Sequence, residues 1–187
     1  MEKWTADKMK LNTIKYLSLL LIFALTGCRK SYVTNERQQI LFQYDYINFA
    51  WGYTHEGFYV DEKGNVLVYS NPEGWNFHKG DYNLTESQLA ENLSKCTVSE
   101  IKIDSHELSR FSSYIHNLAA SKVTALKNSA ADAGTTLYLC YSYNQQSSIY
   151  KGTLIRMEGD FTCENLNFLS RKVSLWMKDV NNSLHKK

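Results

Sequence analysis

The stretch from Thr135 to Met157 constrains the fold more than any other part of the chain. It reads TTLYLCYSY, then a polar turn NQQSS, then IYKGTLIRM. Two runs of β-branched and aromatic residues around a short polar turn are typical of a β-hairpin. A second pair of such runs, Phe58–Val60 and Val66–Ser70, flanks a turn with Gly64-Asn65. The sequence therefore predicts a mainly antiparallel sheet built from two hairpins.

Helical patterns lie between and after these hairpins. Thr85 and Gln88 have the spacing of a capping box, which predicts that a helix begins there. A second helix is predicted after Asp104 or Ser105 and continues to about residue 120, and a third amphipathic helix covers roughly residues 165–182. Residues 40–53 fit either a strand with a bulge or a short helix. We expect an α+β fold with about three helices, the last of them C-terminal and amphipathic.

Composition indicates one domain and argues against nucleic-acid binding. The 187 residues include a single proline, and no Gly/Ser-rich linker or repeat follows residue 30, so residues 40–187 are predicted to form a single domain. Residues 1–27 hold four lysines and two acidic residues, which leaves 17 basic and 17 acidic side chains in the rest of the chain. These basic residues are scattered, whereas proteins that bind nucleic acid usually carry a clustered basic face.

The N-terminal segment predicts an export signal. Lys10 and Lys15 precede an apolar run of ten residues, Tyr16–Leu25, interrupted only by Ser18. A membrane-spanning helix needs about 20 apolar residues, so this run is too short to span a bilayer. Its length and basic flank suit a signal peptide, for which Met9 is a plausible true start. A buried hydrophobic helix, or a secretory signal cut elsewhere, remains the alternative.

The end of this run, Leu25-Thr26-Gly27-Cys28, resembles the lipobox of bacterial lipoproteins. The resemblance implies cleavage by signal peptidase II after residue 27, a diacylglycerol thioether on Cys28 and a further acyl chain such as palmitate on its amino group. Residues 1–27 would then be the signal peptide, and residues 28–39 the lipidated cysteine with a short tether. It also implies a lipid-anchored protein of the bacterial cell envelope, outside the cytoplasm, on the inner or outer membrane and on its periplasmic or surface side.

Three further cysteines follow Cys28. Cys140 lies in an apolar run and is most simply a buried small side chain. Cys96 and Cys163 are the more plausible disulfide pair, although sequence does not fix connectivity.

Aromatic residues are dense between Phe42 and Tyr82, where the chain has twelve. Most are expected to pack in the sheet. Trp51, and Trp75 and Phe77 in a loop with glycine and proline, are candidates for a ligand or partner surface, because tyrosine and tryptophan commonly anchor binding surfaces.

No motif for a catalytic site, metal site or cofactor emerges from the sequence. His106 begins a pattern similar to a zinc-protease helix, but Arg110 occupies the place of the second histidine. We therefore expect a non-enzymatic binding module whose partner is an envelope protein or a glycan. The alternative is a small envelope hydrolase with a site assembled only in the fold. Its candidate residues are His78, Asp81, His106 and Cys163.

Overall fold

A computed structural model describes residues 37–78 and 80–186, which form nine strands and four helices. The strands are β1 (Ile40–Asn48), β2 (Thr54–Asp61), β3 (Asn65–Ser70), β4 (Leu84–Thr85), β5 (Thr97–Lys102), β6 (Lys127–Asn128), β7 (Thr135–Asn144), β8 (Ile149–Gly159) and β9 (Phe161–Glu164). The helices are α1 (Glu86–Leu93), α2 (Ser105–Ser112), α3 (Ile115–Ala119) and α4 (Ser170–Leu184).

The strands make one sheet in the order β5-β3-β2-β1-β7-β8-β9-β6, with β4 paired to β8. All neighbouring strands in this order are antiparallel, so the described part of the chain is an α+β domain with an antiparallel sheet. β1 lies inside the sheet, hydrogen-bonded to β2 on one side and to β7 on the other. Residues 40–48, for which the sequence allowed a strand or a helix, are therefore a strand.

Strand alternation separates two apolar cores on opposite faces of the sheet. On one face, Phe42 and Cys140 pack beneath α2, α3 and α4, where the Phe111 and Trp176 rings stack with centroids 4.2 Å apart. On the other face, Tyr59 and Tyr141 belong to what we call the second core. It also contains the following residues: Ile40, Tyr69, Trp75, Leu84, Leu89, Leu139, Tyr143, Tyr150, Leu154 and Cys163. Burying one large apolar side chain contributes about 1.5–3 kcal/mol, so both faces contribute to stability.

The predicted capping box is confirmed at α1. The backbone N–H of Gln88 donates to Oγ1 of Thr85 at 3.2 Å, and the backbone N–H of Thr85 donates to Oε1 of Gln88 at 2.9 Å. These two bonds satisfy donors that would otherwise have no partner in the first turn.

The single helix expected after Asp104 is two helices. The hydroxyls of Ser112 and Ser113 donate to the carbonyls of Ser109 and Arg110 at 3.2 and 2.7 Å. Such bonds to the preceding turn compete with helix continuation, and α2 ends at Ser112.

The last helix also begins later than expected, at Ser170. The buried Asn165 side chain donates to the carbonyls of Leu118 and Leu154 at 3.0 and 3.2 Å, which holds this segment against α3 and β8 rather than in a helix.

The two ends of the sheet are distinct. We call the end where β1 stops and β2 starts the distal end, and the end where β1 starts the proximal end. The distal end also contains the start of β7 and the end of β8, because Ile47 pairs with Thr135 and Thr135 pairs with Gly159. None of the helices in residues 37–78 and 80–186 is long and apolar enough to cross a membrane.

Candidate binding surface

Polar side chains occupy an unusual position in the middle of the sheet. Gln43 and Asp45 alternate with Phe42 and Tyr44 along β1, so they point toward the second core. Both are buried, with exposed fractions of 0% and 1%. Buried carboxylates and amides are destabilising unless hydrogen-bonded, so these two side chains require partners on neighbouring strands.

The register of three strands supplies partners for Asp45. Asp45 pairs with Gly57 of β2, and Gly57 pairs with Tyr69 of β3. Because Gly57 has no side chain, the Tyr69 hydroxyl reaches across it and donates to Oδ1 of Asp45 at 2.7 Å. A Cβ on Gly57 would lie 2.6 Å from the Tyr69 hydroxyl and 2.1 Å from the carbonyl oxygen of Tyr44. Glycine is therefore required here for space.

His55, near the start of β2, is the second partner of Asp45. Its Nε2 lies 2.7 Å from Oδ1 of Asp45, and the imidazole is 0% exposed. Nδ1 of His55 is buried without a hydrogen-bond partner among the described residues. Both ring nitrogens of a histidine can form hydrogen bonds, so Nδ1 has a bonding capacity that no described residue satisfies.

The hydrogen bonds continue from Asp45 into the second core. The Gln43 amide donates to the Tyr69 hydroxyl at 3.0 Å, and the Tyr141 hydroxyl donates to Oε1 of Gln43 at 2.7 Å. Nε2 of His78 is 3.2 Å from both Oε1 of Gln43 and the Tyr141 hydroxyl. We call these six residues the buried polar network: Gln43, Asp45, His55, Tyr69, His78 and Tyr141.

Burial determines the ionisation of three groups in this network. It raises the pKa of the Tyr69 and Tyr141 phenols well above their usual value, so both remain hydroxyl donors. Burial also lowers the pKa of His78, and this effect outweighs the opposing influence of Asp45 and Asp81. His78 is therefore a neutral ring at pH 7.

Aromatic rings cover His55 and continue to the protein surface. The His55 ring centroid lies 4.9 Å from that of Phe77, 5.3 Å from Trp75 and 6.2 Å from Tyr53. The Tyr53 ring in turn lies 5.5 Å from the Phe49 ring. We call the four accessible rings the aromatic surface. Their exposed fractions are Phe49 73%, Trp51 86%, Tyr53 46% and Phe77 42%.

A groove of about 510 Å³ adjoins this surface at the distal end. Phe49 and Phe161 both line it, and so do the acidic residues Asp132 and Asp160. One carboxylate oxygen of Asp160 already has a hydrogen-bond partner, because Oδ1 accepts from the backbone N–H of Ala133 at 2.8 Å. The lining contains no lysine or arginine among the described residues.

The structure separates the three residues that the sequence suggested for a partner surface. Among the large apolar side chains that the structure describes, Trp51 is second in exposure only to Phe168. Phe77 is about half-exposed. Trp75, expected to be accessible because it lies in a loop, is only 8% exposed and packs against Tyr69 at 4.3 Å. Trp75 is therefore part of the second core and supports the surface from beneath.

The Cys96–Cys163 disulfide expected from the sequence is not formed in the structure, where Cys96, Cys140 and Cys163 are free thiols. The Cys163 thiol donates to the carbonyl of Thr124 at 3.1 Å, and the Cys96 thiol donates to that of Asn92 at 3.4 Å. Burial raises the pKa of the Cys96 and Cys140 thiols to about 12, so both are poor nucleophiles at neutral pH. Cys28 lies outside the described residues.

The residues considered for a hydrolase are dispersed in the structure. Asp81 accepts from the backbone and side chain of Asn83 in a turn, and His106 is an exposed residue in the first turn of α2. Of the four, only His78 belongs to the buried polar network. No group of three or more histidine, cysteine or acidic side chains within residues 37–78 and 80–186 could hold a metal ion.

The sequence analysis missed Asp45, His55, Phe49 and Tyr53. The sequence did contain a signal for Asp45, because Gln43 and Asp45 alternate with aromatic residues along a strand that must be buried on both faces. Chemically, Asp45 and His55 are arranged like a carboxylate and the base it orients. The second ring nitrogen of His55 nevertheless bonds no serine, threonine or cysteine of the described chain.

Comparisons with known proteins give no match. No protein-family model, no curated protein and no solved structure is similar to this chain.

Proposed function

We propose that this protein is a lipid-anchored lipoprotein of the bacterial cell envelope whose domain is a non-enzymatic binding module. Cys28 carries the diacylglycerol and palmitate chains, residues 28–39 form the tether, and the aromatic surface contacts an envelope protein or a glycan. Two hairpins and the amphipathic C-terminal helix form the frame of the domain. One observation carries the binding assignment: accessible aromatic rings occur at the distal end of the sheet, where the Phe49 ring packs against the Tyr53 ring and lines a groove.

The position of the aromatic surface supports this function. β1 starts at Ile40, at the proximal end, whereas Phe49 and Trp51 follow its other end. A strand rises about 3.3 Å per residue, so the distance from Ile40 to Asn48 is about 26 Å. The aromatic surface therefore lies at the opposite end of the sheet from the start of β1. Exposed aromatic side chains in a contiguous patch are typical anchors of protein and ligand contacts.

Two experiments test this function separately. The intact mass of protein purified from the membrane fraction should equal residues 28–187 plus acyl chains. A chain that retains residues 1–27 without lipid would refute the anchor.

For binding, a photo-crosslinking amino acid is placed at position 51 in living cells, with Phe168 as the matched control because it is also highly exposed but lies outside the aromatic surface. Cross-links specific to position 51 are expected. Equal cross-linking at positions 51 and 168 would refute the surface.

The buried Asp45–His55 contact favours one alternative, a small envelope hydrolase in which His55 acts as a base. Hydrolysis would require a water molecule at Nδ1 of His55 as the nucleophile, and the Phe77 ring that packs on His55 would have to move to admit it. Release of a chromophore from activated esters, lost in His55→Gln and kept in His106→Gln, would support this alternative. Equal rates in both variants would exclude His55 as the base.

A further inference from the structure

We propose that the ligand of the aromatic surface and its groove is a saccharide. This inference rests on the proposed binding function and narrows its ligand class. A sugar ring combines apolar C–H faces with outward hydroxyl donors, and the site offers the complement of both.

The apolar part of the site suits flat ligand faces. Phe49 and Phe161 are exposed in the groove lining, and the Tyr53 ring packs against the Phe49 ring. A volume of about 510 Å³ is within the range of small-molecule sites, which are mostly apolar with a few placed polar groups. The rings are held from beneath, since His55 contacts both Tyr53 and Phe77.

The polar part of the site accepts hydrogen bonds and offers few donors. The amide of Asn48 is used internally, because it donates to the Tyr46 hydroxyl at 3.1 Å and accepts from the backbone of Ala50 at 2.8 Å. The Thr135 hydroxyl in the lining can donate or accept, whereas the Asp132 carboxylate and the second oxygen of Asp160 only accept. A ligand that satisfies the two carboxylates must donate hydrogen bonds, as hydroxyl groups do.

His55 provides an independent observation that points to a hydrogen-bonding ligand. It is fully buried, its Nδ1 has no partner in the described chain, and half-exposed Tyr53 and Phe77 lie over it. A buried polar atom without a hydrogen-bond partner is destabilising by about 1–3 kcal/mol. A ligand hydroxyl entering between Tyr53 and Phe77 would supply the missing partner, because a hydroxyl can donate or accept.

Charge argues against a membrane surface as the ligand. The groove carries two carboxylates and no lysine or arginine within the part of the chain that the structure describes. Anionic lipid headgroups would be repelled by this lining, whereas uncharged hydroxyls would not. A lysine-rich peptide would also satisfy the carboxylates, and it is the competing ligand that the experiment must separate.

The test uses the full chain purified in detergent, titrated with chitotriose, maltotriose and cellotriose and, in parallel, with oligolysine and with vesicles containing phosphatidylglycerol. We expect at least one saccharide to bind, as measured by calorimetry. We also expect the ¹⁵N resonance of His55 Nδ1 to shift when it forms a hydrogen bond. Failure of all three saccharides, or binding of oligolysine or the vesicles alone, overturns the proposal.

Matched variants locate the site. Phe49→Ala and Asp132→Asn should each weaken saccharide binding about tenfold, since anchors of this kind contribute more than about 1 kcal/mol. Asparagine tolerates the positive φ of 64° at position 132, so the loop should be retained. Phe168→Ala, the control, should bind as the parent does. Parental affinity in both site variants overturns the proposal.

The lipid anchor is tested by measuring the intact mass of the protein in the same preparation. Saccharide binding by an unlipidated chain would refute the anchor alone. Position-51 cross-links to a protein, without saccharide binding, would refute the saccharide inference alone.

Discussion

At Asp45, two donors converge on one buried carboxylate oxygen. Nε2 of His55 and the hydroxyl of Tyr69 both lie 2.7 Å from Oδ1. A carboxylate acceptor makes such hydrogen bonds about twice as strong as neutral ones. The Tyr69 hydroxyl is the central member, because it also accepts from the Gln43 amide. Removing the Tyr69 hydroxyl should leave the buried side chains of Asp45 and Gln43 each without one hydrogen-bond partner.

Tyr69→Phe should therefore lower the free energy of unfolding by about 1–3 kcal/mol while the ring packing is retained. Urea denaturation measures this change. Tyr143→Phe is the matched control: its hydroxyl bonds the partly exposed Glu86, so water can replace the bond and the change should stay below about 1 kcal/mol. Equal losses in the two variants would contradict a special role of the Tyr69 hydroxyl.

Individual residues show where sequence analysis succeeds and where it stops. Composition drew attention to Trp51 and Phe77, which are accessible in the structure, but gave no reason to separate them from the buried Trp75. The Asp45–His55 contact depends on strand register, because the residues are ten apart in sequence and meet only when β1 pairs with β2. Periodicity identifies a strand but does not fix which residues face each other.

At the scale of elements, the helix ends depend on single side chains. Thr85 caps α1 through a reciprocal pair of bonds with Gln88, and Asp104 caps α2 by accepting from the N–H of His106 at 2.9 Å. Both caps were foreseeable, since the capping residues are next to the helices they begin. The break between α2 and α3 could not be foreseen, because serine is compatible both with a helix that continues and with a helix that ends.

Thr85→Ala should destabilise the protein by about 1 kcal/mol, the usual effect of removing an N-terminal cap. Thermal unfolding followed by circular dichroism measures it. Ser105→Ala serves as control, because Ser105 follows the cap of α2 and does not itself provide it. The prediction fails if the Ser105 variant loses as much stability as the Thr85 variant.

At the scale of the whole molecule, the second core is rich in buried phenols. Burial raises the pKa of Tyr59, Tyr69 and Tyr141 well above the usual value of 10. Above about pH 10 these residues lose protons in the unfolded chain but keep them in the folded one. The unfolded state then binds fewer protons, so stability decreases as pH rises.

We therefore expect unfolding free energy to fall steeply above about pH 10, by about 1.4 kcal/mol per pH unit for each such tyrosine. Denaturant unfolding at a series of pH values measures the slope, and tyrosinate absorbance should appear together with unfolding. Tyr141→Phe removes one of these groups and should make the slope shallower. A free energy that stays constant through this range would contradict burial as the cause.

The overall architecture was more accessible to sequence analysis than the site. An α+β fold with an antiparallel sheet follows from local patterns in residues 54–70 and 135–159, which the structure places in β2, β3, β7 and β8. The order of the strands does not follow from those patterns, since β1 pairs with β7 across about ninety residues. The groove combines residues 47–50, at the end of β1, with residues 132–135 and 160–161 beside β7 and β8, and so it depended on that order.

The course of β1 through the sheet has a mechanical consequence. In a lipid-anchored protein whose ligand is held at the aromatic surface, tension between membrane and ligand would run from Ile40 to Asn48 along this strand. Its neighbours on both sides are antiparallel and hydrogen-bonded over most of its length. Where the ligand is held by the groove residues at the start of β7, the load would pass from β1 to β7 in shear, on many hydrogen bonds together rather than one after another. The domain would then resist being pulled apart by the ligand it holds.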